Sequence, residues 1–265
     1  MMEYNGIKIQ LVEIPGLIED ASLGKGMGNK LISAVRVADL LAFIVDLSND
    51  PIDQMNTLLK ELERSGIRLN DEPPDIELER RSQGGIEIKG ENKIRGDIKQ
   101  VKEMLRDSGV VNGVLIVKEE IGLEEVAEKL DESIVYKKGM ILANKGDLPE
   151  TKEKYEKLEK KFSNYEIVPI STEEEENLKK AKEKIFTTLN LITIRTKKPG
   201  QDPEWPPIAM KKDSKVIEAA KEVHKDMEEK FKYAKVWGDS VDFDGQRVGR
   251  SHKIKDGDIV EFHTK

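Results

Sequence analysis

The sequence of 265 residues contains no cysteine and only three histidines, His224, His252 and His263. The chain therefore cannot form a disulfide, and histidines with no spaced partners cannot build a Cys/His zinc site. Long apolar runs are also missing, because the longest covers six residues, 40–45, whereas a membrane-spanning helix needs about 20. Since the N-terminus lacks the pattern of a secretory signal, we expect a cytoplasmic protein without a transmembrane segment.

Charged residues are abundant and unevenly distributed. They make up 37% of the chain, with a net charge of −7. Residues 191–265 carry 16 Lys and Arg against 14 Asp and Glu, whereas residues 1–190 carry 29 against 38. This contrast predicts two modules, 1–190 and 191–265.

Apolar periodicity in residues 1–190 alternates between strands and helices. Strand patterns at 40–46, 113–117, 139–143 and 166–170 are separated by helical patterns, and Asn5-Gly6 predicts a hairpin turn before a strand at 7–13. This alternation predicts an α/β module with a mainly parallel sheet and helices on both faces. Residues 191–265 instead predict short strands around one helix at 214–231, which indicates a small α+β module.

A four-residue motif follows the strand at 139–143. Asn144-Lys145-Gly146-Asp147 matches NKxD, in which a fixed aspartate accepts hydrogen bonds from N1–H and the 2-amino group of guanine. Asn144 would tie the loop to its neighbours, and the aliphatic stem of Lys145 would cover one face of the base. The alternative is a solvated turn after a buried strand. The next strand ends in 169–172 (PIST), where Ser171 and Thr172 would meet guanine O6 and favour the guanine-binding interpretation.

The sequence contains only some of the motifs that bind the phosphate groups of a nucleotide at such a site. Segment 13–16 occupies the place of a DxxG element, so Gly16 would contact a γ-phosphate and Glu13, in place of aspartate, would hold Mg²⁺ through water. No GxxxxGK[ST] phosphate-binding loop is present. Gly24-Lys25 does not qualify, because Glu19 stands in place of the first glycine and Gly26 in place of Ser or Thr.

Three longer stretches carry a family resemblance. Residues 14–31 (IPGLIEDASLGKGMGNKL) resemble the Obg-type switch region, and residues 61–88 (ELERSGIRLNDEPPDIELERRSQGGIEI) resemble a segment of developmentally regulated GTP-binding (DRG) proteins. Residues 231–262 (FKYAKVWGDSVDFDGQRVGRSHKIKDGDIVEF) are similar to that family's TGS domain. The resemblance implies a P-loop-type GTPase domain with bound GTP or GDP and Mg²⁺, followed by a ubiquitin-like (β-grasp) TGS domain.

The resemblance also implies partners and a departure from the family. Relatives are associated with translating ribosomes and with small zinc-finger-type partner proteins. Because the P-loop and first switch have no counterpart here, we expect weak nucleotide binding and negligible hydrolysis by this chain alone. A gene fragment or a misplaced start codon would explain the start at Met1, and a split GTPase completed by another polypeptide is the alternative.

A second function class stays open at this point, namely a nucleotide-independent adaptor that binds RNA or a ribosome through its TGS domain. Trp237 and Tyr233 are candidates for stacking on bases. The alternative is a solvated basic face with Trp237 buried in a small core. Candidate phosphate contacts are Lys211, Lys212, Lys232, Lys235, Arg247, Arg250, Lys253 and Lys255.

Overall fold

The chain folds into two compact units. A computed structural model describes residues 1–14, 29–171 and 175–264. The first unit gathers Met1–Pro15, Ala42–Pro51 and Met140–Lys265, and the second gathers Gly16–Leu41 and Ile52–Gly139. Within these described ranges, no helix is long and apolar enough to cross a membrane.

The first unit begins with the predicted hairpin. Strands β1 (Met2–Tyr4) and β2 (Ile7–Ile9) pair antiparallel around Asn5-Gly6. Both turn residues have positive φ, 49° and 80°, a conformation that Asn and Gly tolerate best. The hairpin prediction is confirmed, although the second strand ends at residue 9 instead of 13.

A parallel strand pair forms the centre of the first unit. The end of β10 (Val135–Asn144) pairs with β11 (Glu166–Ile170), with Ala143 opposite Pro169 and Asn144 opposite Ile170. On its other side β10 neighbours β3 (Leu40–Asp46). Residues 140–143 of β10 are buried on both faces of the strand, whereas β3 alternates between buried and exposed residues, with Ala42 and Ile44 exposed. Two helices follow these strands in the chain, α5 (Lys152–Lys161) and α6 (Glu175–Thr188).

The C-terminal part of the first unit is a five-stranded mixed sheet with its own apolar core. The strand order is β13-β12-β16-β14-β15, in which β12 and β16 are parallel and the other pairs are antiparallel. Val216, Ala219 and Ala220 of the first helix are fully buried in its core. This is the predicted β-grasp arrangement. Its elements are β12 (Leu191–Thr196), β13 (Ile208–Lys211), α7 (Val216–Val223), α8 (Lys225–Lys230), β14 (Phe231–Trp237), β15 (Gln246–Val248) and β16 (Ile259–Thr264).

The second unit has a separate core under a three-stranded sheet of order β5-β8-β6. Val101, Leu105 and Val126 are fully buried there, and the Asp97 carboxylate caps helix α3 by accepting a bond from the Lys99 amide at 2.9 Å. Strand β4 pairs in parallel with Val135–Lys137 of β10. The elements of the second unit are α1 (Asn29–Val37), α2 (Pro51–Arg64), β4 (Ile67–Leu69), β5 (Ile76–Arg80), β6 (Ile86–Lys89), β7 (Ile94–Arg95), α3 (Ile98–Asp107), β8 (Gly113–Val117), β9 (Ile121–Gly122) and α4 (Leu123–Leu130).

The structure corrects three details of the predicted elements. The single helix at 214–231 is two helices, because His224 is extended (φ −163°, ψ 133°) and its ring Nδ1 accepts a bond from the Asp226 amide at 3.2 Å. Strand β10 begins at residue 135 instead of 139, and β15 was not predicted. The α/β fold class is confirmed, and the division into modules 1–190 and 191–265 stays a prediction.

Candidate guanine-binding site

The loop after β10 is fastened to strands on both sides. The Asn144 carbonyl accepts a hydrogen bond from the Leu47 amide at 3.1 Å, and the Gly146 amide donates to the Ile170 carbonyl at 3.2 Å. Because residue 47 follows β3 and residue 170 ends β11, the carboxyl ends of all three strands meet at this loop. Ligands of parallel α/β sheets bind at such edges.

Lys145 occupies an unusual backbone conformation within this loop. Its φ is 63°, in the left-handed region, which costs a non-glycine residue about 1 kcal/mol. The Lys145 carbonyl accepts bonds from the Leu148 amide at 3.3 Å and from the Thr151 hydroxyl at 3.2 Å. These bonds stabilise the turn, and conformations of this kind are concentrated at functional sites.

The side chain of Lys145 is anchored on the neighbouring strand. Its Nζ lies 2.8 Å from Oδ2 of Asp46 and 3.2 Å from the Ser48 hydroxyl. Oδ1 of Asp46 accepts bonds from the Ser48 amide at 2.8 Å and from the Ser48 hydroxyl at 2.6 Å. The bond from Lys145, followed by those from Ser48, lowers the pKa of Asp46 from 3.8 to about 2. The anchor is therefore an ion pair at neutral pH.

Asp147 and Asn144 differ in what they present to a ligand. The Asp147 side chain is exposed and receives no hydrogen bond from the part of the chain that the structure describes. Its carboxylate is available for two donors arranged like N1–H and the 2-amino group of guanine. Asn144 is half-buried, and its backbone carbonyl accepts the hydrogen bond from the Leu47 amide that ties the two residues together.

Gly146 brings the two predicted guanine loops into contact. A Cβ atom at this position would lie 3.0 Å from Cβ of Pro169 and 3.7 Å from the carbonyl oxygens of Ala143 and Ile170. Ser171 follows directly and is only 3% exposed. The structure thus brings residues 144–147 beside Ser171, as the parallel pairing of β10 and β11 requires.

The remaining predicted site residues lie at the phosphate end. Thr172 and Gly16 fall outside the described residues, as do Gly24-Lys25. Glu13 is exposed in a segment without regular secondary structure. Among the residues with described positions, no group of three or more His, Asp or Glu side chains is arranged to hold a metal.

The β-grasp sheet carries a row of cations and aromatic rings, called here the cation–aromatic face (Lys197, Tyr233, Lys235, Trp237, Arg247, Glu261 and His263). The Arg247 guanidinium lies 3.9 Å from the centroid of the Tyr233 ring, and His263 stacks on the same ring with centroids 4.4 Å apart. Since β15 and β16 flank β14, these two groups approach Tyr233 from opposite sides. Both faces of the Tyr233 ring are therefore covered, which disfavours the predicted stacking on a base.

Cations also occupy other parts of this face. Lys197 Nζ lies 4.3 Å from the centroid of the half-buried Trp237 ring. Glu261 is only 4% exposed and lies within 4.0 Å of Lys197 Nζ, Lys235 Nζ and His263 Nε2. Two further candidate cations are engaged elsewhere, Lys253 with the Asp213 carboxylate and Lys255 with the Asp239 carbonyl.

Comparison with protein families defines the class of this protein. Residues 1–78 match a model described as 50S ribosome-binding GTPase, and residues 83–191 match the C-terminal region of the same GTPase domain. Residues 192–264 match the TGS domain. Fold and matches together define a GTP-binding protein with a C-terminal TGS domain.

Full-length similarity narrows the class to one family. Over its whole length the chain is 35% identical to the uncharacterized GTP-binding protein MJ1326 of Methanocaldococcus jannaschii, covering 68% of that protein, and 33% identical to developmentally-regulated G-protein 3 of Arabidopsis thaliana, covering 71%. The chain belongs to the developmentally regulated GTP-binding protein family. Its fold is similar to that of the Schizosaccharomyces pombe YchF GTPase, with a TM-score of 0.54 and 17% identity over 94% of this chain and 78% of the other.

Sequence reasoning missed the anchor of the guanine loop. Asp46 and Ser48 stand 99 and 97 positions before Lys145, and only the fold brings them together. A local signal was nevertheless present, because Asp-x-Ser after an apolar strand is typical of a turn closed by the aspartate side chain. Lys154 was missed for the same reason, and its Nζ donates to the carbonyls of Ser48 and Asn49 at 2.8 Å.

Proposed function

We propose that this chain binds GDP and GTP through their guanine base, using the loop 144–147 and the adjoining residues 171–172. The observation that carries the proposal is an exposed Asp147 carboxylate that receives no hydrogen bond from the described residues, at the tip of a loop fastened to two neighbouring strands. A charged carboxylate pairs with the two donors of guanine, and adenine cannot match this pattern. The stem of Lys145, extended toward Asp46, supplies an apolar surface for one face of the base.

The residues available to bind the nucleotide phosphates determine the expected affinity for GDP and GTP. Much of the affinity of P-loop GTPases comes from backbone amides and a lysine around the β-phosphate, and this sequence has no GxxxxGK[ST] motif. Gly16 and Glu13 are the proposed contacts to the γ-phosphate and, through water, to Mg²⁺. We expect dissociation constants of about 0.1–1 mM, corresponding to about −4 to −5.5 kcal/mol, and negligible hydrolysis by the chain alone.

A nucleotide titration followed by amide NMR tests the proposal, because NMR measures millimolar dissociation constants. GDP should shift signals of residues 144–148 and 170–171, and ADP at the same concentration should leave them in place. Asp147→Ala should abolish the GDP shifts, whereas Glu150→Gln, an exposed change beside the loop, should keep them. Equal shifts with ADP, or an unchanged response in Asp147→Ala, would contradict guanine recognition.

A second part of the proposal concerns partners of the TGS domain. We propose that the cation–aromatic face meets RNA phosphates, in free RNA or on a ribosome in the cytoplasm. The support is the surplus of Lys197, Lys235 and Arg247 over one buried Glu261. Family resemblance adds a small zinc-finger-type partner protein. The nucleotide-independent adaptor is not favoured, since the full-length relatives are named as GTP-binding proteins.

Charge reversal tests the RNA contact. Arg247→Glu with Lys235→Glu changes two cations of the cation–aromatic face, and Lys225→Glu changes an exposed cation on helix α8 as the control. Anisotropy of a labelled single-stranded oligouridine should show weaker binding by the double variant only, with a reduced dependence on salt. Equal binding by the three proteins, all with wild-type melting temperatures, would reject this face.

A further inference from the structure

The geometry points to Asp46 as a positioning residue for guanine-nucleotide binding, acting through the ammonium group of Lys145. This inference rests on the proposed guanine-binding function. It adds a residue that lies outside the guanine motif and outside the loop that carries Asp147. The contact joins four atoms, Nζ of Lys145, the two carboxylate oxygens of Asp46 and the hydroxyl oxygen of Ser48.

The Asp46 carboxylate is held in a fixed orientation by its own turn. Oδ1 accepts bonds from the amide and the hydroxyl of Ser48, and Oδ2 accepts bonds from the Asn49 side-chain amide at 3.2 Å and from Lys145 at 2.8 Å. Lys154 fastens the same turn from helix α5 by donating to the carbonyls of Ser48 and Asn49. A carboxylate with four donors has little freedom to move, so it offers Lys145 one fixed anchor.

The anchor determines the path of the Lys145 side chain. Its Cα sits in the left-handed turn after β10, and its Nζ sits at the end of β3, so the four-carbon stem runs between neighbouring strand ends. The Lys145 side chain is about half exposed. A free lysine side chain would lose rotamer freedom each time a base settled on its stem, and the anchor removes most of that loss before binding.

The expected effect is moderate and specific to nucleotide binding. Ordering a long side chain at an interface costs about 0.5–1.5 kcal/mol, so loss of the anchor should weaken GDP binding about two- to twelvefold. Asp46→Asn removes the charge and keeps an acceptor for the Ser48 amide. Lys145→Met keeps a long apolar side chain and removes the ammonium. Both variants should weaken GDP binding to a similar extent.

A double-mutant cycle tests whether Asp46 acts through Lys145. GDP dissociation constants are measured by NMR for wild type, Asp46→Asn, Lys145→Met, the double variant, Asp147→Ala and the charge-matched control Glu150→Gln. The double variant should bind GDP as each single variant does. A further loss in the double variant, equal to the product of the single effects, would show an independent structural role and overturn the inference.

The same set of variants distinguishes the proposed guanine binding from the positioning role of Asp46. If Asp147→Ala weakens GDP binding and Asp46→Asn does not, guanine binding stands and the positioning role is wrong. If wild type shows no binding at millimolar GDP, or if Asp147→Ala binds as wild type does, the proposed function fails and this inference fails with it. The ¹⁵N signal of the Lys145 ammonium, measured without nucleotide, gives an independent readout that should broaden in Asp46→Asn.

Discussion

The ammonium of Lys145 and the carboxylate of Asp46 form an ion pair with a 2.8 Å N–O distance between the ends of two neighbouring strands. Lys145 belongs to the predicted guanine-binding motif 144–147, whereas Asp46 lies outside it. The pair holds the long Lys145 side chain in one orientation, and this order underlies several of the following expectations.

The first expectation is a pH-dependent contribution of Asp46 to stability. The pKa of Asp46 is about 2 in the folded chain and 3.8 in its ordinary state, so its ionised form stabilises the fold above about pH 4, and this contribution is lost as pH falls toward 2. Asp46→Asn should lower the free energy of unfolding at pH 7 by about 1 kcal/mol or less, as partly exposed ion pairs do. Urea denaturation at pH 7, 4 and 2.5 should show the difference shrinking between the last two values. A difference that stays constant would contradict the ion-pair origin.

Gly146 gives a test of the contact between the two loops. Gly146→Ala places a methyl group 3.0 Å from Cβ of Pro169, closer than carbon atoms normally approach, so the loop must shift away from β11. We expect a loss of about 1–2 kcal/mol in stability and weaker GDP binding. Gly249→Ala is the matched control, because a Cβ there meets no atom within 4 Å and the residue lacks a positive φ. Equal effects of the two substitutions would show that the predicted crowding is absent.

Glu128 is the centre of a polar cluster in the second unit. Its carboxylate accepts bonds from Arg68 at 2.7 and 2.9 Å and from the Tyr136 hydroxyl at 3.2 Å. Burial, followed by the charge of Glu128, raises the pKa of Tyr136 to about 12. Glu128→Gln should destabilise the chain by about 1–2 kcal/mol and move the Tyr136 titration toward its ordinary pKa of 10. Glu132→Gln, an exposed change just after the same helix, should alter neither the stability nor the Tyr136 titration.

Sequence reasoning succeeded where the signal is local. The Asn5-Gly6 turn, the strand 166–170 and the guanine motif after a buried strand are each encoded within about ten residues, and the structure contains all three elements. The helix predicted across 214–231 is interrupted at His224, where an extended backbone and the ring that caps the following turn start a second helix, a break that helical periodicity does not show. Strand β10 extends back to residue 135 because Val135–Lys137 pair with β4. The sequence does not predict this pairing, because the segment 135–138 (VYKK) has little apolar character.

The residues of the candidate site also differ in whether local sequence signals predict them. Asp147 and Ser171 follow recognisable strands, so parallel pairing alone predicts their proximity. The sequence shows Asp46 as the polar end of an apolar strand and as the first residue of an Asp-x-Ser turn, but gives no sign of its contact with Lys145. Its role depends on the fold bringing β3 beside β10 and on the side chain of Lys145 reaching across. No pattern of spacing in the sequence contains that information.

The most direct measurement of the central claim is a change of base preference in Asp147→Asn. Guanine offers donors at N1 and at its 2-amino group, whereas xanthine keeps the N1 donor and carries a carbonyl acceptor at position 2. An asparagine amide supplies one acceptor and one donor, so it should favour xanthine. NMR titrations of both proteins with GDP and xanthosine diphosphate should give a preference for GDP in wild type and for xanthosine diphosphate in Asp147→Asn. An unchanged preference in the variant would contradict base recognition by Asp147.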